Sequence, residues 1–170
     1  LVAGFTGSAN MPCTTAATPG CGNGAQQTYA GNGDGFVIRL NANLTSVLQA
    51  TFLGGSTTDD IYAMAIHPVS GEVLVAGYTG STNLPCTTTA TAGCGNGAQQ
   101  AHTADFGKSD GFVARLNANL TSLLQATYLG GGGFDEITAI AVHPVSGEVL
   151  VAGPTYSTDL LCTTAATPGC

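Results

Sequence analysis

The chain says the same thing more than twice. Leu1-Val2-Ala3-Gly4-Phe5-Thr6-Gly7-Ser8 returns as Leu74-Val75-Ala76-Gly77-Tyr78-Thr79-Gly80-Ser81, and Leu150-Val151-Ala152-Gly153 starts it again. The starts lie 73 and then 76 residues apart, and the 102–109 stretch accounts for most of the difference. Units of this kind cannot bury their apolar faces alone and gain a continuous core by stacking on their neighbours. The periodicity divides the chain into a first repeat over 1–73, a second over 74–149 and the start of a third over 150–170. Leu1 opens inside a strand-like run and Cys170 falls in the unfinished unit. The expectation is therefore a segment of a longer repetitive polypeptide.

Each unit reads as four short strands. Asp34-Gly35-Phe36-Val37-Ile38-Arg39-Leu40 recurs as Asp110-Gly111-Phe112-Val113-Ala114-Arg115-Leu116, with Phe36, Ile38 and Leu40 on one face at period two. Asn41-Ala42-Asn43 reads as a turn, because Asn tolerates left-handed backbone and caps its own chain. A second strand is expected over 46–53, matched over 122–129, and Gly54-Gly55 or Gly130-Gly131 ends it. Ile61-Tyr62-Ala63-Met64-Ala65-Ile66 and Ile137-Thr138-Ala139-Ile140-Ala141-Val142 supply the third. His67-Pro68-Val69-Ser70-Gly71 and His143-Pro144-Val145-Ser146-Gly147 make a compact reversal, Pro fixing one torsion and Gly freeing another. The fourth, Glu72-Val73-Leu74-Val75-Ala76-Gly77, is apolar without alternation, as a strand covered on both faces should be. No window has a helical period.

Four strands joined by tight turns predict an all-β fold of tandem four-stranded antiparallel blades of propeller type. The arrangement would be a partial propeller or an open, polymerised repeat array. The Asp-Gly-Phe-Val-x-Arg-Leu entry, the Ala-Thr-Tyr-Leu-Gly-Gly run at 126–131, the Ala-Ile-Ala-Val-x-Pro-x-Ser-Gly-Glu-Val stretch at 139–149 and the Val-Ala-Gly-Tyr-Thr-Gly-Ser exit at 75–81 with Leu84-Pro85 resemble the SBBP-type β-propeller repeat. That resemblance covers roughly two thirds of each period and implies an exported or cell-surface bacterial or archaeal protein. It transfers no catalytic residue. The chain departs from the pattern at His67 and His143, where the family commonly carries an acidic residue, and in the long 12–33 loop. A closed propeller needs about four to eight blades. Two complete units leave open edges, which invite pairing with further repeats or identical copies.

Composition narrows the partners. Ten acidic residues against three basic ones give a net charge of −7. This argues against nucleic acid, whose backbone must be met by clustered Lys and Arg, and against an anionic membrane surface. No apolar run approaches the ~20 residues of a membrane helix. Only 8% of residues are charged, so the surface rests on hydroxyls and amides and little charge must be desolvated where subunits pack.

Six cysteines fall into three equal spacings: Cys13 with Cys21, Cys86 with Cys94, Cys162 with Cys170. The simplest reading is one local disulfide per repeat, formed in an oxidising, extracellular or cell-surface compartment, which restrains the unfolded chain by roughly 2–3 kcal/mol. Cross-repeat or intermolecular bridges are the alternative. Zinc prefers closer pairs and four converging ligands. Asp34, Asp59, Asp60, Asp110, Asp135 and Glu136 stand on turns beside glycine, where carboxylates can hold calcium. They can equally solvate a turn or accept backbone N–H bonds.

His67 and His143 read as turn-lining imidazoles, and Arg39 and Arg115 as strand cations bridging to carboxylates such as Asp34 or Asp59. Phe5, Phe36, Phe52, Tyr78, Phe112 and Tyr128 read as filler between blades. Asn43-Leu44-Thr45 and Asn119-Leu120-Thr121 are glycosylation triplets in a turn. With no Gly-x-Ser-x-Gly elbow, the expectation is a non-catalytic structural repeat protein without a required cofactor, able to polymerise as a filament. Two alternatives stand beside it. One is a module binding glycan or protein through the 101–109 stretch, and the other is a hydrolase using His67 or His143.

Overall fold

A computed structural model describes residues 1–11, 23–86 and 97–160. Among these there are nine strands and no helix: β1 (Val2–Thr6), β2 (Asp34–Leu40), β3 (Val47–Leu53), β4 (Asp59–Ile66), β5 (Val73–Thr79), β6 (Asp110–Leu116), β7 (Leu123–Leu129), β8 (Ala139–Val142) and β9 (Val149–Ala152). They form three antiparallel meanders, β1-β2-β3, β4-β5-β6-β7 and β8-β9. Between sheets, β4 touches β1 and β2 on one side, and both β4 and β5 touch β8 on the other. The all-β expectation holds, and the four-stranded unit is complete once. Among the described residues the sheets do not close into a barrel or ring.

The complete sheet takes β4 from the first sequence repeat and β6 and β7 from the second, while β5 spans the boundary with Leu74 inside it. β2 and β6 occupy the expected residues. β4 begins two residues early, because the Asp59 amide bonds Gly33 O at 2.8 Å and Asp59 pairs with Thr79. β8 begins late for a similar reason: the Ile137 amide donates across to Gly77 O of the neighbouring sheet at 3.1 Å.

Register assigns the two faces of each sheet. In the four-stranded sheet Val73 and Val75 stand opposite Leu116 and Ala114, and Phe112 opposite Tyr128, so these side chains share one face. That face packs on Val37 and Leu53 of the first sheet to form the main core, with Ile61, Leu120 and Leu123. The other face carries Leu74, Val113, Arg115 and Gln125. β5 is covered on both sides as expected: Val73, Leu74, Val75 and Ala76 are each at most 1% exposed. In the first sheet the Phe36 face meets only a satellite cluster of Met11, Ala50 and Phe52 with Tyr29.

Gly71 and Gly147 do take positive φ, +70° and +75°, in the two His-Pro reversals. In the Asn-Ala-Asn turns, however, the left-handed residues are Leu44 (φ 58°) and Leu120 (φ 60°), not asparagines. Asn41 and Asn117 are occupied as caps. Asn41 Oδ1 accepts from the Thr45 and Ser46 amides at 2.8 and 3.2 Å, and Asn117 Oδ1 does the same for Thr121 and Ser122 at 2.9 and 3.2 Å.

Candidate functional site

Two buried carboxylates meet at the Gly-Gly corner of each repeat. Asp34 opens β2 and Asp59 opens β4, and both side chains are fully buried. Asp34 Oδ2 accepts from Gln26 Nε2 at 3.0 Å and the Ala30 amide at 2.9 Å. Asp59 accepts from the Gly55 amide at 2.8 Å, from Ser81 Oγ at 2.9 Å and from Thr79 Oγ1. Gly54 separates them. A Cβ on Gly54 would stand 2.8 Å from Asp34 Oδ1 and 2.9 Å from Asp59 Oδ2, so only glycine lets the carboxylates approach this corner. Its amide is held by Gln26 Oε1 at 2.9 Å.

The second repeat builds the same constellation. Asp110 Oδ2 accepts from Gln99 Nε2 at 3.0 Å and the Thr103 amide at 2.7 Å. Asp135 Oδ2 accepts from the Gly131 amide at 2.9 Å and Ser157 Oγ at 2.6 Å. Gly130 takes the place of Gly54, with its amide on Gln99 Oε1 at 2.9 Å. Asp34 Oδ1, Asp110 Oδ1 and Asp135 Oδ1 are buried without a hydrogen-bond partner.

Burial dominates the electrostatics. It raises Asp34 and Asp110 above the ordinary carboxylate value and pushes Asp59 up to about 6, with the charge of Asp34 adding to the effect and the Thr79, Gly55 and Ser81 hydrogen bonds opposing it. The corner can therefore retain a proton. Of the six acidic residues considered for calcium, the fold unites Asp34 with Asp59 and Asp110 with Asp135. Among the described residues no group of three His, Cys, Asp or Glu side chains converges as metal ligands. Calcium takes six to eight oxygens. Asp60 and Glu136 belong to a different neighbourhood: burial raises Asp60 first, and the charge of Glu136 raises it further.

Gln26 and Gln99 were not anticipated, although the identical Gly-Ala-Gln-Gln runs at 24–27 and 97–100 mark them. Arg39 differs from expectation. It donates not to a carboxylate but to Ala118 O at 3.2 Å and Asn119 Oδ1 at 3.0 Å, because the 117–122 turn of the next sheet lies over it. Arg115 Nε lies 3.8 Å from Glu72 Oε2. His67 Nδ1 accepts from the Val69 and Ser70 amides at 3.3 and 3.2 Å, and His143 Nδ1 from the Ser146 amide at 3.1 Å, so both rings hold their turns. Cys86 is 3% exposed, with Sγ 3.3 Å from Leu84 O. Cys13, Cys21, Cys94, Cys162 and Cys170 lie outside the described residues.

A second feature is an open cavity of about 520 Å³ walled by the 102–109 stretch. His102 lies on its wall, edge-on to Tyr128 at 5.9 Å between ring centroids. Lys108 bridges Asp105 Oδ2 and Gly132 O, each at 3.0 Å, while Phe106 is fully exposed and Phe134 about half. Tyr128 itself is a fastener. Its hydroxyl donates to Ser81 O at 2.9 Å and accepts from the Leu84 amide at 3.1 Å, and burial pushes its pKa up to about 12.

No family model matches the chain, and no curated protein matches it at a significant level. Among the described residues no helix is long and apolar enough to cross a membrane.

Proposed function

We propose that this chain is a non-catalytic structural repeat protein of the extracellular space or cell surface, whose sheets stack as propeller-type blades and associate with further copies, as a filament where the rotation does not close. The observation that carries this reading is the repetition of one fastening scheme. The Gln-Asp-Gly-Asp corner, the capped Asn turn and the His-held reversal occur twice, and each engages its polar groups in holding backbone. The imidazole Nδ1 of His67 and His143 and one oxygen or more of each corner carboxylate are thus committed to architecture. The SBBP-type motifs support the same reading, and the three even cysteine spacings support local disulfides formed after export. Negative-stain microscopy with sedimentation of the concentrated chain tests it. Periodic, elongated or ring-shaped assemblies are expected, whereas isolated globular particles at every concentration would overturn the structural role.

The cavity beside the 102–109 stretch favours a second reading, a module that binds glycan. Exposed aromatic faces at Phe106 and Phe134 flank hydrogen-bonding groups at Thr57, Asp105 and Lys108. A saturable signal on a glycan array, lost in Phe106→Ala, would establish it; a blank array would leave the structural reading alone.

A further inference from the structure

Leu120 and Leu44 occupy the same turn in different surroundings. The runs Leu40-Asn41-Ala42-Asn43-Leu44-Thr45-Ser46 and Leu116-Asn117-Ala118-Asn119-Leu120-Thr121-Ser122 are identical. Both turns have the same cap, the same amide bond back to the first Asn carbonyl and the same left-handed leucine. Leu120 is 0% exposed and Leu44 is 74% exposed. Left-handed backbone costs a residue with a side chain about 1–2 kcal/mol. At Leu120 burial adds to the Asn cap in offsetting that cost, and at Leu44 the cap acts without burial.

The seat of Leu120 is explicit. The Ala25 amide donates to Leu120 O at 3.0 Å, Arg39 clasps Ala118 O and Asn119 Oδ1, and the leucine joins the core with Val37. The four-stranded sheet carries the same seat one repeat later. Ala98, Val113, Arg115 and Gln125 stand where Ala25, Val37, Arg39 and Gln49 stand, and with Val149 and Val151 they line an open groove of about 360 Å³. Arg115 is half exposed. Val149 and Val151 of the two-stranded sheet are 42% and 36% exposed.

We infer that this groove receives the β2–β3 hairpin of a second copy of the chain, with Leu44 seated as Leu120 is and Arg115 clasping Ala42 O and Asn43 as Arg39 clasps Ala118 and Asn119. The hairpin continues the β8-β9 sheet along the edge of β9. The resident β9 and the incoming β1 share the run Leu-Val-Ala, so β9 takes the place of β1 beside the incoming β2 in register: Ala152 opposite Val37, as Ala3 is opposite Val37 and Ala76 opposite Val113. The result is a four-stranded sheet like β4-β5-β6-β7. Knob and socket lie on different faces of one molecule, so the contact is heterologous and propagates head to tail.

This inference rests on the self-associating reading above, and one experiment separates the two. Sedimentation velocity across a dilution series is run on the 170-residue chain and on Leu44→Asp and Arg115→Glu, each checked for unchanged circular dichroism. The unsubstituted chain is expected to form dimers and longer species, and each variant alone to associate roughly 10–100-fold more weakly, the range for one buried leucine. Mixed, the two variants should restore dimers and nothing longer, because one contributes an intact socket and the other an intact knob. Variants that assemble like the unsubstituted chain, or a mixture no better than its components, overturn this contact and leave the structural role standing. An unsubstituted chain that remains monomeric throughout overturns both.

Discussion

Phe112→Ala is expected to lower the unfolding free energy by about 3–5 kcal/mol, and Phe36→Ala, the same position one repeat earlier, by less than half as much. Both residues belong to the same Asp-Gly-Phe-Val strand and stand opposite an aromatic, Phe36 facing Phe52 and Phe112 facing Tyr128. What differs is the layer above. Phe112 is fully buried beneath the first sheet, beside Val37 and Leu53, so truncation leaves a void between two hydrogen-bonded sheets that cannot collapse into it. Phe36 is half-buried against the small cluster of Met11 and Tyr29, where neighbours can settle and water can enter. Urea unfolding of dilute protein measures both. Equal losses would show that the Phe36 face is covered as fully as the Phe112 face, and the distinction between inner and outer faces would fail.

Much of the strand pattern was legible because period two is a local property. The Asp-Gly-Phe-Val entry marks β2 and β6 at their observed bounds. The phase of the sheets was not legible. A repeat has no intrinsic beginning, and only the hydrogen bonds reveal that the complete sheet runs from Asp59 to Leu129, with Gly54-Gly55 and Gly130-Gly131 as the corners between sheets. The left-handed leucines escaped a reading from propensity, since Leu44 and Leu120 are placed by the Asn caps before them. The carboxylate pairing was half visible. Each Asp recurs in the sequence, yet that Asp34 lies across Gly54 from Asp59 is a contact between sheets. Arg39 was misread for the same reason: sequence spacing does not say that its neighbour is the turn of the next sheet.

The buried corners are expected to make the protein more stable in mild acid than at neutral pH. Asp59 is raised from its ordinary value of 3.8 to about 6, principally by burial, which penalises the ionised form. The folded state therefore binds this proton more tightly than the unfolded chain does. The resulting stability is fully present below the unfolded value and is lost as pH rises through the folded one. A difference of roughly two pH units corresponds to about 3 kcal/mol, on the order of a third of a typical domain's stability. Asp34 and Asp110 are shifted in the same direction by the same cause. Urea midpoints should accordingly fall between pH of about 4.5 and about 7.5. Asp59→Asn keeps an oxygen for the Gly55 amide and the Ser81 hydroxyl but cannot ionise, so its midpoint should vary much less over the same window. A chain that gains stability toward neutral pH, or an Asn variant with an unchanged slope, would show that Asp59 stays ionised in the fold and that the corner holds a charge instead of a proton.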